Sequence, residues 1–170
     1  MFKPNIALIG PNKSINTAVG ELLAAELELH YLDTDAYIEY EENLPVKHII
    51  ADFGATHYYK LEKKYIRRLD TFEDTVIATS ATAVMDEDNT KKLLEFCYVV
   101  LLYSDPSTVL KRMRDEQTQL LKADIMARSR EFFSNINAHL KFIVNYALDT
   151  TARSPHMLKE MIVQKLSSMV

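Results

Sequence analysis

Two short stretches of this 170-residue chain carry side chains at spacings suited to phosphate chemistry. The first runs Ile6-Ala7-Leu8-Ile9-Gly10-Pro11-Asn12-Lys13-Ser14-Ile15-Asn16-Thr17-Ala18-Val19-Gly20, which reads as a buried strand, a turn and a helix start. That layout aims the free N–H groups of a helix N-terminus at an anion. A phosphate-binding loop of the form G-x-x-x-x-G-K-[ST] needs glycine and then lysine directly before Thr17, and here those positions hold Ile15 and Asn16. The second stretch is Asp33-Thr34-Asp35, at the end of the next strand. In a phosphotransferase one such carboxylate orients a magnesium-bound water and the other accepts bonds from substrate hydroxyls. The alternative is structural: Asp33 or Asp35 caps a helix beginning at Ala36.

Alternating apolar strands and amphipathic helices must hold these stretches. Asn5–Ile9, His30–Asp33, Thr75–Thr79, Cys97–Tyr103 and Tyr146–Asp149 read as five strands. Between them the spacing predicts helices from about Thr17 to Leu29, over Ala36–Glu42, Val46–Phe53 and Ala55–Phe72, and from Asp105-Pro106 to about Arg114. Ser154-Pro155 opens a last helix with Leu158, Met161, Ile162 and Leu166 on its inner face. Continuously apolar strands separated by helices imply a parallel sheet covered on both faces. Ligands then sit at the carboxyl ends of the strands, just after Ile9, Leu32, Thr79 and Tyr103.

One domain spanning 1–170 is expected at this length, with no repeat, linker or low-complexity segment. A net charge of -4 provides no basic field for nucleic acid or an anionic membrane. No apolar run approaches the ~20 residues that span a bilayer, and the N-terminus lacks a signal-peptide pattern. The expectation is a cytoplasmic protein, monomer or dimer, with the single cysteine, Cys97, buried. The five histidines pair with neither Cys97 nor a carboxylate at metal-binding spacing. Only three glycines are present, Gly10, Gly20 and Gly54, and glycine is what lets backbone wrap closely around a ligand.

Taken together, a glycine-opened loop after strand one, Asp33-Thr34-Asp35 after strand two and the Val76-Ile77-Ala78-Thr79 strand resemble the shikimate kinase family. The likeness extends over Leu101-Leu102-Tyr103-Ser104-Asp105-Pro106, Arg114-Asp115 ahead of Leu120-Leu121, and the helix-strand-helix ending. It implies a P-loop kinase-like three-layer α/β/α sandwich with a five-stranded parallel sheet and a lid at about 115–126. It also implies transfer of the ATP γ-phosphate, with magnesium, to the 3-hydroxyl of shikimate.

Carried over residue by residue, the resemblance implies phosphate contacts from Gly10, Lys13, Ser14, Asn16 and Thr17, and an adenine contact from Arg114. Magnesium falls to Thr17 and Asp33, catalysis to Asp33 and Asp35, and substrate contacts to Asp35, Tyr59, Lys60, Ser80, Ala81 and Thr82. Many of these positions depart from the family pattern. The loop's second and third glycines fall on Lys13 and Ile15, and its lysine on Asn16. The three arginines for the shikimate carboxylate and the transferred phosphate fall on Tyr59, Thr118 and Ile136. Lys60, adjacent to Tyr59, points about 100° further round its helix and cannot make a bidentate carboxylate contact. The glycine run after the third strand is Ser80-Ala81-Thr82, whose side chains take up space the substrate would need.

Two readings follow. In the first, the fold persists without efficient kinase activity and binds a shikimate-like small molecule or a protein partner, because every subsite departs together. In the second, an active shikimate kinase or other small-metabolite kinase uses Lys13 or Lys60 in place of the lost cation.

Overall fold

The computed structural model describes residues 5–113 and 116–169; the side chains at 116–118 and 129 also lie outside the description. Five strands, β1 (Asn5–Ile9), β2 (His30–Asp33), β3 (Thr75–Ala78), β4 (Cys97–Tyr103) and β5 (Tyr146–Asp149), form one sheet in the order β2-β3-β1-β4-β5. Every pairing is parallel. β1 is the middle strand: Ile6 lies opposite Val76 on one side and Tyr98 on the other.

Both faces of β1 are buried, so its side chains alternate between two cores. Ile6 and Leu8 pack with Val19 and Leu23 of α1 (Lys13–Leu27) and with Leu158, Ile162 and Leu166 of α9 (Pro155–Ser167). Ala7 and Ile9 pack on the other face with Leu93 of α5 (Glu87–Phe96) and with Phe132, at the end of α7 (Glu116–Asn135). Ile136 and Leu140 continue that core in a π-helical turn, which leads into the short α8 (Lys141–Ile143).

A third core lies beyond the strand ends. It joins α2 (Thr34–Glu42), α3 (Val46–Phe53), α4 (Ala55–Ile66), α6 (Pro106–Arg112) and the first half of α7 through Ile38, Ile49, Tyr58, Leu61, Val109, Leu121 and Ile125. Burying each of the aliphatic side chains is worth about 1.5–3 kcal/mol, so the anticipated lid region is a docked helix.

Local chemistry starts several helices where the sequence indicates. Asp33 caps α2, accepting from the N–H groups of Asp35 and Ala36. Asp105 and Ser154 cap α6 and α9, each followed by proline in the first turn. Several boundaries and elements differ from expectation. α1 begins at Lys13 instead of Thr17, because Pro11 and Asn12 complete the turn and residues 13–16 are already helical. α4 stops at Ile66, and a separate 3-10 turn at Leu69–Thr71 follows it. α6 ends at Arg112 and β3 at Ala78. α5 was not anticipated: Asp86 caps it, but Asn89, Thr90 and Leu93 face inward and blur its apolar stripe.

Gly10 sits where β1 passes nearest β4. A Cβ there would lie 2.0 Å from the carbonyl oxygen of Leu102 and 3.3 Å from Oδ1 of Asn16. The first neighbour is backbone and cannot swing away. Gly10→Ala is therefore expected to cost about 3 kcal/mol, read as a lower urea midpoint at unchanged slope. A loss under about 1 kcal/mol would mean that the ends of β1 and β4 separate freely.

Candidate functional site

At the carboxyl end of β1, only Gly10-Pro11-Asn12 separates the strand from α1. The turn that would wrap a phosphate is thus shorter than the sequence pattern suggests, since Lys13 to Asn16 lie within the helix. Asn16, in the position of the expected lysine, is fully buried, and its amide donates to the carbonyls of Gly10 (3.0 Å) and Thr79 (3.2 Å). It ties the turn to the end of β3, leaving its own Oδ1 without a partner among the described residues. Ser14 is exposed and donates to Oδ1 of Asn12 at 2.8 Å.

Lys13 turns across the mouth of the site. Its Nζ lies 2.7 Å from Oδ2 of Asp35. Tyr58, wholly buried in α4, donates to the other oxygen of Asp35 at 2.6 Å. Tyr58 Oη also lies 3.2 Å from Oε1 of Glu62 one helical turn on. Glu62 in turn receives hydrogen bonds from the hydroxyls of Ser80 and Thr82, the latter at 3.2 and 3.3 Å. Ser80, Ala81 and Thr82 are all buried. A continuous polar network thus occupies the space between β2, α4 and the segment after β3.

The electrostatics follow from burial. Desolvation pushes the Glu62 carboxyl up to about 8, partly offset by the Ser80 bond and reinforced by the charge of Asp35. Burial also raises Asp33, as does the nearby Asp35 carboxylate. Tyr58 is raised well above the ordinary phenol range, chiefly by burial and then by the two carboxylates it faces. At neutral pH the network therefore holds Glu62 mainly as a neutral acid.

Of the other anticipated residues, Thr17 and Asp33 come together, with Oγ1 of Thr17 3.5 Å from Oδ2 of Asp33. This hydroxyl–carboxylate pair suits a magnesium ion. The turn ahead of it does not suit a triphosphate: its cation is paired with Asp35 and its helix starts a full turn early. Tyr59 is half-buried and donates to Asp124 of α7. Lys60 is exposed, away from this cluster. Ile136 is buried in the core under the sheet. Arg114 lies outside the described residues, as do Asp115 and the Thr118 side chain. Among the described residues, no cluster of three or more His, Cys, Asp or Glu could hold a metal, and no helix is long and apolar enough to cross a membrane.

Two participants escaped sequence reasoning. Tyr58 is one, although its i,i+4 spacing from Glu62 is a visible signal. Asp124 carried none, since nothing in the chain order links it to Tyr59.

Comparison with known proteins identifies the family. The model for shikimate kinase matches residues 14–169. The shikimate kinase of Caldicellulosiruptor saccharolyticus is 30% identical over 165 residues, covering 94% of this chain and 93% of that one. The Moorella thermoacetica shikimate kinase is 44% identical over 108 residues, 64% of this chain and 62% of its own length. Among solved structures, shikimate kinase from Aquifex aeolicus superposes with a TM-score of 0.79 at 22% identity, covering 96% of each chain. The Acinetobacter baumannii shikimate kinase, solved in complex with shikimate, gives 0.76 at 24% identity, covering 99% of this chain and 94% of that one.

The raised Glu62 carboxyl has a signed consequence for stability. Between its unfolded value of 4.5 and about 8, the folded state holds a proton that the unfolded state has released, so stability falls as pH rises. Asp33 acts in the same direction. Denaturant midpoints at pH 5, 6.5 and 8 should therefore decline, by at most about 1.4 kcal/mol per pH unit from Glu62. Glu62→Gln should remove at least half of that slope. Parallel profiles for the two proteins would show that Glu62 ionises freely in the folded state.

Proposed function

The chain belongs to the shikimate kinase family, and from that premise we propose that this member keeps the fold but has lost efficient phosphoryl transfer from ATP to the shikimate 3-hydroxyl. The family implies use of ATP and magnesium. The observation that carries the reading is the 2.7 Å pair between Lys13 and Asp35, together with Asn16 buried and committed to two backbone carbonyls. The cation nearest the phosphate turn is held by the carboxylate that should receive substrate, and Asn16 stands where the family has its lysine.

On the substrate side the loss is similar. Where the family places an arginine, Tyr59 bonds Asp124. Where it places glycines, Ser80 and Thr82 satisfy Glu62. Each charge-assisted contact forgone is worth roughly 1.5–3 kcal/mol, and two of them amount to about 10²–10⁴ in affinity. The chain then acts as one cytoplasmic domain over residues 1–170, monomer or dimer, that binds a shikimate-like ligand or a protein partner without turning over ATP.

A second reading has its own support. Lys13 does bring a positive charge to Asp35, and Thr17 stands beside Asp33. An active kinase would use Lys13 as the phosphate cation after it leaves Asp35, with Asp35 then free to accept from a substrate hydroxyl.

Calorimetric titration with Mg-ATP, alone and with shikimate present, separates the two. The expected result is no saturable heat up to millimolar nucleotide and no shikimate-dependent ADP release. Micromolar binding with turnover that is lost in both Lys13→Met and Asp35→Ala would establish the second reading. The triple variant Lys13→Gly, Ile15→Gly, Asn16→Lys should regain nucleotide binding without shikimate turnover, because the carboxylate arginines remain absent.

A further inference from the structure

The geometry points to a second ligand site, for a small organic monocarboxylate, in a cleft on α7 built around Arg128. Arg128, Glu131, Phe132 and Asn135 lie at i, i+3, i+4 and i+7 on one face of that helix. With Met85, from the segment after β3, they line a shallow cleft of about 50 Å³ that opens to solvent. The Arg128 guanidinium sits 5.8 Å from the centre of the Tyr59 ring. It makes no hydrogen bond or ion pair with another described residue. Tyr59 is itself held from the α7 side by Asp124, one turn before Arg128.

The chemistry of the lining selects the ligand. A guanidinium presents a planar fork of N–H donors that matches a carboxylate, and its half-buried position strengthens such a contact. The Asn135 amide adds a neutral donor or acceptor. Met85 and the buried Phe132 give the cleft an apolar wall against which a small hydrocarbon body can lie. Glu131 at the rim and Asp124 beside Tyr59 repel a second negative charge, so one carboxylate is favoured over a phosphate or a dicarboxylate. A cleft this small takes the carboxylate end, with the hydrocarbon body lying along its open apolar wall. This site uses none of the residues around Lys13 and Asp35, and it does not depend on whether nucleotide binds.

Benzoate is the probe. NMR titration of the full chain should show saturable shifts at α7 resonances with low-millimolar affinity. Arg128→Gln should weaken binding at least tenfold, and Arg128→Lys should also weaken it, since an ammonium cannot make the fork contact. Lys13→Met should leave it unchanged. Inorganic phosphate should bind at least tenfold more weakly than benzoate. Absence of shifts up to 50 mM benzoate, equal binding by Arg128→Gln, or phosphate binding as tightly as benzoate would each overturn the assignment. If Arg128→Gln does not fold, phenylglyoxal labelling of the unmodified sequence decides: benzoate should protect Arg128, and unprotected labelling would sink the site.

Discussion

A carboxylate buried as deeply as Asp35 cannot remain charged in the interior without partners on both oxygens, and that constraint organises the mouth of the sheet. Lys13 satisfies one oxygen from α1 and Tyr58 the other from α4. Because Lys13 has to reach Asp35 from the first turn of α1, the early helix start and the shortened turn after β1 belong to the same solution. Because Tyr58 has to reach it from α4, that helix is fixed in rotation about its axis, which in turn buries Glu62 beneath it. Glu62 then needs donors of its own, and Ser80 and Thr82 supply them.

The network explains why the departures from the family pattern occur together. Removing a buried cation leaves an acid behind, and an unpaired buried acid costs more than an exposed one. Serine and threonine in place of the family's glycines put hydroxyls within reach of Glu62. Asn16 plays the comparable part on the other side, tying the turn after β1 to the end of β3. Each of these side chains satisfies a polar group that burial would otherwise leave without a partner.

Much of this was legible in the chain order. Strands buried on both faces announce themselves as apolar runs, and the Asp105-Pro106 and Ser154-Pro155 caps mark helix starts chemically. Asp33 as a cap was among the readings that Asp33-Thr34-Asp35 allows, and the structure uses it so. What could not be read was set by tertiary contact. Residues 13–16 have no strong propensity to be helix or loop, and the pull of Asp35 on Lys13 comes from the first turn of α2, which follows a strand two places from β1 in the sheet. α5 was missed because its inner face carries Asn89 and Thr90. The Tyr59–Asp124 contact joins elements whose approach no local pattern encodes.

The position of β1 carries a consequence for how the chain is made. It precedes both of its partners in the chain, which begin at Thr75 and Cys97, and has to wait for each of them. Until β3 is made, Ile6-Ala7-Leu8-Ile9 has two unpaired edges, and until β4 is made it still has one. Assembly of the sheet is therefore governed by sequence-distant pairing and slow loop closure, and nascent chains stalled before Tyr103 are the ones a chaperone would have to shield.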